Sequence, residues 1–158
     1  MRSVGVALAL TAGLAFAACE SAQDPPPVVA AVVVAPAAAS LTALDDTVRL
    51  AARANDASGQ AITGKTFTWT SPDASIATVS TSGLVTAVAN GAATVSATSD
   101  GVAGTAHVTV AQAVATITVT PPTASLNAIG RTVQLGAAAH DATGHAIVGQ
   151  AFTWASSA

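Results

Sequence analysis

The sequence predicts an all-β protein built from antiparallel β-sandwich modules, and three observations support this prediction. Apolar and polar residues alternate with period two over short stretches. Turn signals separate these stretches at intervals of about eight to twelve residues, and helical periodicity is absent beyond the N-terminus. Finally, residues 32–73 align without a gap with residues 117–158, at a constant offset of 85 residues. A period this long indicates whole domains in series.

The two copies share the positions on which a β-module depends. A strand leucine recurs as Leu50 and Leu135, a turn Asp-x-x-Gly recurs at 56–59 and 141–144, and Phe-Thr-Trp recurs at 67–69 and 152–154. The second copy stops shortly after its Trp. We therefore expect one complete sandwich at residues 28–111 and the N-terminal half of another at residues 114–158.

The elements of the complete module follow in order. A half-buried strand runs from Thr47 to Asn55, with alternate side chains inward, and Asp56 to Gly59 forms a turn in which Asp bonds its own backbone. Phe67 and Trp69 then alternate with threonines, which predicts a strand with both aromatic side chains in the core.

The second half of the module continues this pattern. Strands are predicted at 76–79 and 83–88, and Asn90-Gly91 is a strong hairpin signal before the strand that contains Val95. Asp100-Gly101 to Gly104 is predicted to turn the chain into a last strand. The predicted core consists of Val48, Leu50, Ile62, Phe67, Trp69, Ile76, Val79, Leu84, Val85, Val88, Val95, Val102, Val108 and Val110, with Trp154 in the second copy.

Composition excludes several classes of function. Charged residues make up 8% of the chain, the formal net charge is −3, and basic residues form no cluster, so we expect no nucleic-acid binding. No glycine-rich loop has the spacing that cradles phosphates, so we expect no nucleotide and no cofactor.

Catalytic and metal-binding chemistry is also unsupported. Asp45 and Asp46 are neighbours on a predicted extended segment, where side chains point to opposite faces, so they make no acid–base pair and are expected to be solvated rather than to bind calcium. His140 and His145 flank the second turn and His107 lies on an outward strand face, which is too few ligands for a metal. The tryptophans could stack on a sugar, but their alternation with Thr favours a core position. We predict no catalytic residue and no metal site.

The N-terminus has the layout of a secretory signal peptide at residues 1–18. Met1-Arg2 supplies positive charge, and an apolar run from Val4 to Ala18 is too short to span a bilayer permanently. Its end, Phe16-Ala-Ala-Cys19, resembles the lipobox of bacterial lipoproteins, which implies cleavage before Cys19 and lipidation of its sulfur. The family prefers Leu where Phe16 stands. The alternative is a plain signal peptide that leaves Cys19 as a free thiol.

The segment after the cysteine indicates a tether and a destination. Residues 19–27 are polar and end in three prolines, which favours an extended spacer. Glu20 replaces the Asp that is associated with inner-membrane retention of some lipoproteins. We therefore expect the protein to be exported and anchored to the cell envelope, with the outer membrane or cell surface as its location.

One run of the complete module identifies a family. Residues 66–80, Thr-Phe-Thr-Trp-Thr-Ser-Pro-Asp-Ala-Ser-Ile-Ala-Thr-Val-Ser, together with residues 83–95, closely resemble the bacterial immunoglobulin-like domain, group 2. The resemblance implies an immunoglobulin-like sandwich. Members occur as repeated units in surface proteins, including intimin and invasin-like adhesins, so the resemblance implies a spacer or adhesive module.

These observations predict a non-catalytic surface lipoprotein whose immunoglobulin-like repeats serve as a stalk or adhesion module. Its partners would be the membrane, through Cys19, and a glycan, peptidoglycan or surface protein. The alternative is the N-terminal anchor and spacer of a longer surface enzyme or carbohydrate-binding protein. We further expect residues 28–111 to fold alone, and residues 114–158 to be marginal, disordered or self-associating because half a sandwich leaves apolar faces uncovered.

Overall fold

The computed structural model describes residues 26–157, which form twelve β-strands and no helix. The predicted signal peptide, Cys19 and most of the tether lie outside the described residues. The strands are β1 (Ala31–Ala35), β2 (Ala38–Leu41), β3 (Thr47–Arg49), β4 (Ala51–Asn55), β5 (Ala61–Ile62), β6 (Thr68–Thr70), β7 (Ala77–Val79), β8 (Leu84–Ala87), β9 (Gly91–Ser99), β10 (Val102–Val110), β11 (Thr116–Thr120) and β12 (Gly136–His140).

One layer of the first module consists of two three-stranded sheets, with orders β1-β4-β5 and β3-β8-β7. The chain joins them directly, because β3 and β4 are separated by a single residue, Leu50. The Leu50 N–H donates to the carbonyl oxygen of Gly83 at 2.8 Å, so backbone pairing continues across the interruption. Inward Leu50 and Ala54 alternate with outward Arg49 and Arg53, as the period-two pattern predicts.

The other layer is a four-stranded sheet of order β2-β10-β9-β6, in which β2 runs parallel to β10 and the other pairs are antiparallel. Val95, Ala97, Ala106 and Val108 on β9 and β10 are completely buried. The two layers approach closely at Gly104 on β10, where an added Cβ would collide with the carbonyl oxygen of Val32 on β1. Only glycine permits this approach of the backbones.

The core of the first module lies between these layers. Five of the predicted core residues are fully buried: Leu50, Val85, Val95, Val108 and Val110. Seven further predicted core residues are partly buried and pack against the core cluster: Val48, Ile62, Phe67, Trp69, Ile76, Val79 and Val102. The core positions predicted for Leu84 and Val88 are wrong, since these two side chains are 37% and 43% exposed. On β8 the inward residues are Val85, as predicted, and Ala87, and a residue next to an inward position on a strand points outward.

The predicted hairpin at Asn90-Gly91 is wrong. β8 pairs with β3 and β7, whereas β9 pairs with β6 and β10, so this segment crosses from one sheet to the other. The tight hairpin lies at Asp100-Gly101, where Ser99 pairs with Val102. Positive φ angles of 49° and 80° at its two central residues identify a type I′ turn. The last strand therefore begins before Gly104, which was expected to lie in the turn.

The second copy contributes one antiparallel pair, β11 with β12, and a following turn. Its large apolar side chains are exposed, including Ile117 at 56% and Trp154 at 54%. The core position expected for Trp154 is therefore not met. In the first module the Trp69 ring lies against Gly83, 2.9 Å from where a Cβ would stand.

Candidate functional site

Both copies contain the same local turn, in which an aspartate accepts hydrogen bonds from residues that follow it. Asp56 Oδ1 accepts from the Ser58 N–H at 2.9 Å, the Ser58 hydroxyl at 2.7 Å and the Gln60 N–H at 2.9 Å. Asp141 Oδ1 accepts from the Thr143 N–H at 3.1 Å and the His145 N–H at 2.9 Å. The short polar side chain replaces a backbone acceptor, so the turn is encoded locally.

The two turns differ in what surrounds their second carboxylate oxygen. Asp141 is only 1% exposed, because its turn lies against the first module. Its Oδ2 accepts the N–H of Leu44 at 3.0 Å and the side-chain amide of Gln112 at 2.9 Å. Leu44 belongs to the loop before β3, and Gln112 follows β10. Asp141 therefore links the second copy to a loop of the first module and to the segment that connects the copies.

Neighbouring side chains extend this junction. The Thr143 hydroxyl lies 2.8 Å from both the Leu44 carbonyl oxygen and Asp141 Oδ1, and its single proton is donated to one of them at a time. His145 Nε2 lies 3.4 Å from Asp45 Oδ2, so a protonated imidazole forms an ion pair between the copies.

The first module holds its side of the junction in place. Asp45 has a positive φ of 61°, and its N–H donates to the carbonyl oxygen of Ala87 at 3.0 Å, which fixes the loop that carries Leu44. Gln112 is held by Asn90: its N–H donates to Asn90 Oδ1 at 2.8 Å, and the Asn90 amide donates to Gln112 Oε1 at 3.1 Å. These contacts orient the free amide hydrogens of Gln112 toward Asp141.

The junction favours the ionised form of its carboxylate. Burial raises the pKa of Asp141, but hydrogen bonds from Gln112, Leu44, Thr143 and His145 outweigh burial and hold that pKa well below its ordinary value. The pKa of Asp56 is also lowered, chiefly by the Ser58 hydroxyl. Both turns therefore carry a negative charge near neutral pH.

The other acidic and histidine residues named in the sequence analysis lie in a turn and on two strands. Asp45 and Asp46 lie in the turn before β3, so their expected position on an extended segment is wrong. Asp46 Oδ1 accepts the N–H of Thr47 at 2.9 Å. His107 is exposed on β10, with Nδ1 3.2 Å from the Thr94 hydroxyl. His140 ends β12 and is half-buried.

Among residues 26–157, no three His, Cys, Asp or Glu side chains come close enough together to hold a metal ion. The same residues include no helix with the length and apolar character needed to cross a membrane.

An open apolar groove of about 230 Å³ lies on the second copy, lined by Ile117, Val119, Ala137, Phe152, Thr153, Trp154 and Ala155. Its members correspond by the repeat to residues that contribute to the core cluster of the first module, such as Val32, Val34 and Trp69. The groove is therefore the inner face of a sandwich layer without a facing layer in the described residues.

Sequence reasoning missed the junction. It interpreted His145 only as a residue that flanks a turn and binds no metal, and it gave no role to Leu44, Gln112 or the second oxygen of Asp141. The available signal was the replacement of Asn55 and Gln60 in the first turn by His140 and His145 in the second. That change distinguishes the two turns but does not identify the neighbours of either one.

The described residues form one β-sandwich, followed by a strand pair whose Asp141 turn contacts it. The family model of the bacterial Ig-like domain (group 2) matches residues 28–110, and the chain belongs to this family. Its fold is accordingly an all-β, immunoglobulin-like sandwich, as the sequence predicted.

Several solved structures are similar to the chain. Domains 4 and 5 of the S-layer protein SbsC are 25% identical over 54% of this chain and 53% of theirs, with a TM-score of 0.47. Domains 5-6 of the same protein are 26% identical over 75% of this chain and 65% of theirs, also at 0.47. The Yersinia pseudotuberculosis adhesin InvE is 26% identical over 71% of this chain and 34% of its own, at 0.39.

This chain thus spans about half the length of the first of these structures. No curated protein matches it significantly.

Proposed function

We propose that the chain is a non-catalytic cell-surface lipoprotein whose immunoglobulin-like modules act as a stalk or as an adhesion and interaction module. The observation that carries this proposal is the end-to-end arrangement of the copies. β10 ends at Val110, β11 begins at Thr116, and the second copy contacts the first through Asp141. Modules joined in this way extend a chain over a distance. Membership of a family that occurs as repeated units in bacterial surface proteins supports the same conclusion.

The N-terminal sequence supports export and anchoring. A positive start, an apolar run and the end Phe16-Ala-Ala-Cys19 are typical of a lipoprotein signal. Lipidation of Cys19 with several acyl chains gives stable membrane binding, whereas one chain gives only marginal binding. Residues 19–27 then separate the membrane from the first sandwich. The proposed location is the cell envelope, at the outer membrane or cell surface.

The proposed partners follow from this position. The membrane is bound through Cys19, and a glycan, peptidoglycan or surface protein would be bound through loops and exposed strand faces. The outward faces of β9 and β10 carry Thr and Ser side chains, whose hydroxyls can donate to and accept from such ligands.

Metabolic labelling tests the anchor. The full chain is produced in a bacterial host supplied with an alkyne-tagged fatty acid, beside the Cys19→Ser variant and a culture treated with globomycin. Cys19 is the one cysteine of the chain, so thioether lipidation has a single possible sulfur. We expect label and membrane recovery in the wild type only, with a mass of residues 19–158 plus acyl chains.

Two outcomes would contradict the proposal. An unlabelled product cut after Ala18 contradicts the lipid anchor, and equal labelling of the Cys19→Ser variant contradicts the assigned site. A much larger mass in the native host favours the alternative, in which these residues are the anchor and spacer of a longer surface enzyme or carbohydrate-binding protein.

A further inference from the structure

We propose that the Asp141 turn is a docking device that fixes the orientation of the second module on the first, and that its receptor is the Leu44–Asp45 loop together with Gln112. This inference rests on the proposed function as a stalk, and it specifies how such a stalk resists bending. The turn meets the receptor through a charged group rather than through an apolar surface.

The geometry of Asp141 makes the contact directional. Oδ1 is held by the turn itself, through the N–H groups of Thr143 and His145, so the orientation of the carboxylate is set by the second module. Oδ2 accepts from Leu44, in the loop before β3, and from Gln112, in the connecting segment that Asn90 ties to the first module. Rotation of one module against the other would break at least one of these charge-assisted bonds and leave the carboxylate short of donors.

The receptor is held in place by contacts with the first module. Asn90 holds Gln112 through two hydrogen bonds, and the Ala87 carbonyl holds the loop that contains Asp45. Residues already held in their bound positions lose little freedom on docking, which strengthens the contact. The groups that face Asp141 include one titratable pair between the modules, His145 and Asp45, whose atoms are 3.4 Å apart.

The chain supplies its own control for the turn. Asp56 makes the same local hydrogen bonds through Oδ1, but in the described residues its Oδ2 accepts no hydrogen bond from another module. Substitution of Asp56 by Asn therefore changes the turn without changing a junction. Substitution of Gln112 by Ala changes the junction without changing the turn.

The test is ¹⁵N relaxation of the full chain and of the variants Asp141→Asn, Gln112→Ala and Asp56→Asn. In the wild type we expect the amides of β12 and of residues 141–145 to relax with the same correlation time as those of β9 and β10. Asp141→Asn and Gln112→Ala should each lower the heteronuclear NOE of residues 136–145, and they should shift the Leu44 amide resonance.

Asp56→Asn should leave residues 136–145 unchanged, and the relaxation of residues 56–60 in the same variant reports whether Asn is compatible with this type of turn. The double variant Asp141→Asn/Gln112→Ala should lose no more order than Asp141→Asn alone, because both changes remove the same contact. Unchanged relaxation in both single variants would overturn the proposal. A loss of order in Asp141→Asn alone would show that Gln112 is not part of the receptor and would also overturn the proposal as stated. Lipid labelling at Cys19 is independent of these results, so failure of the junction and failure of the anchor are distinguishable.

Discussion

Trp69 and Trp154 occupy the same place in the repeat but have different surroundings. Alternation with threonine predicts an inward side chain for both, because that pattern fixes the face of the strand on which a residue lies. Burial also requires a facing layer, and the pattern of one strand carries no information about that layer. Trp69 lies against Gly83 and packs on the core, whereas Trp154 is 54% exposed.

This difference gives a prediction for the tryptophans. Trp69→Ala removes a partly buried ring from the core and should destabilise the first module by about 3 kcal/mol, near the lower end of the range for large aromatic truncations. Trp154→Ala should leave the unfolding of that module unchanged. Urea titrations followed by far-UV circular dichroism compare the two variants. Equal stability of Trp69→Ala and wild type would mean that the ring is solvated and available to a ligand.

At the scale of a single residue, Asp141 is expected to make the docked state depend on pH. Its pKa is held well below the ordinary value in the docked state, so ionisation contributes stability above the ordinary carboxyl range. That contribution is lost only as the pH falls through the lowered pKa of the docked state. The Leu44 amide resonance should therefore keep its docked position from pH 7 to 5 and move only in stronger acid, below the ordinary carboxyl pKa. A midpoint in the ordinary carboxyl range would show that the charge is not held by the junction.

At the scale of the elements, two dipeptides that both favour a hairpin turn make different connections. Asn90-Gly91 and Asp100-Gly101 both match the two-residue hairpin pattern, but only the second pair joins paired neighbouring strands. The first connects strands in different layers, and its Asn binds Gln112. Turn chemistry describes the backbone of two residues, whereas the choice of partner strand depends on packing across the whole sandwich.

The hairpin itself can be tested by substitution. Gly101 has a φ of 80°, so Gly101→Val places a β-branched residue in left-handed backbone and should cost about 1–2 kcal/mol. Asp100→Asn keeps a residue that suits a type I′ turn and removes the ion pair between Lys65 Nζ and Asp100 Oδ2, 2.6 Å apart. Because such surface pairs contribute about 0–1 kcal/mol, this variant should remain near wild-type stability. Denaturant midpoints measure the stability of both variants. A larger loss of stability in Asp100→Asn than in Gly101→Val would contradict the assigned turn.

At the scale of the whole molecule, the sequence predicted the modules but not their junction. The repeat, the alternating strands and the Phe-Thr-Trp motif established the sandwich, because each is a local or periodic property. The bond from Leu44 to Asp141 joins residues 97 positions apart, and such a contact leaves no period in one sequence. Gln112 gave no signal either, since a single polar residue after a strand is typical of any connecting segment.

Some parts of the second copy are held by hydrogen bonds, whereas others make few buried contacts. The pair β11 and β12 and the docked turn are hydrogen-bonded, whereas Ile129, Val133 and Val148 are 106%, 42% and 94% exposed. We therefore expect slow amide exchange throughout β9 and β10, intermediate protection in 136–145 and rapid exchange in 122–135 and 148–157, because local opening is easiest where few buried contacts resist it. Hydrogen exchange of a dilute sample measures these rates, and sedimentation at the same concentration establishes its oligomeric state. Strong protection throughout 132–154 in a monomer would contradict this prediction and would mean that the half-sandwich is stable alone, whereas protection that increases with concentration would mean that its apolar groove is covered by a second copy.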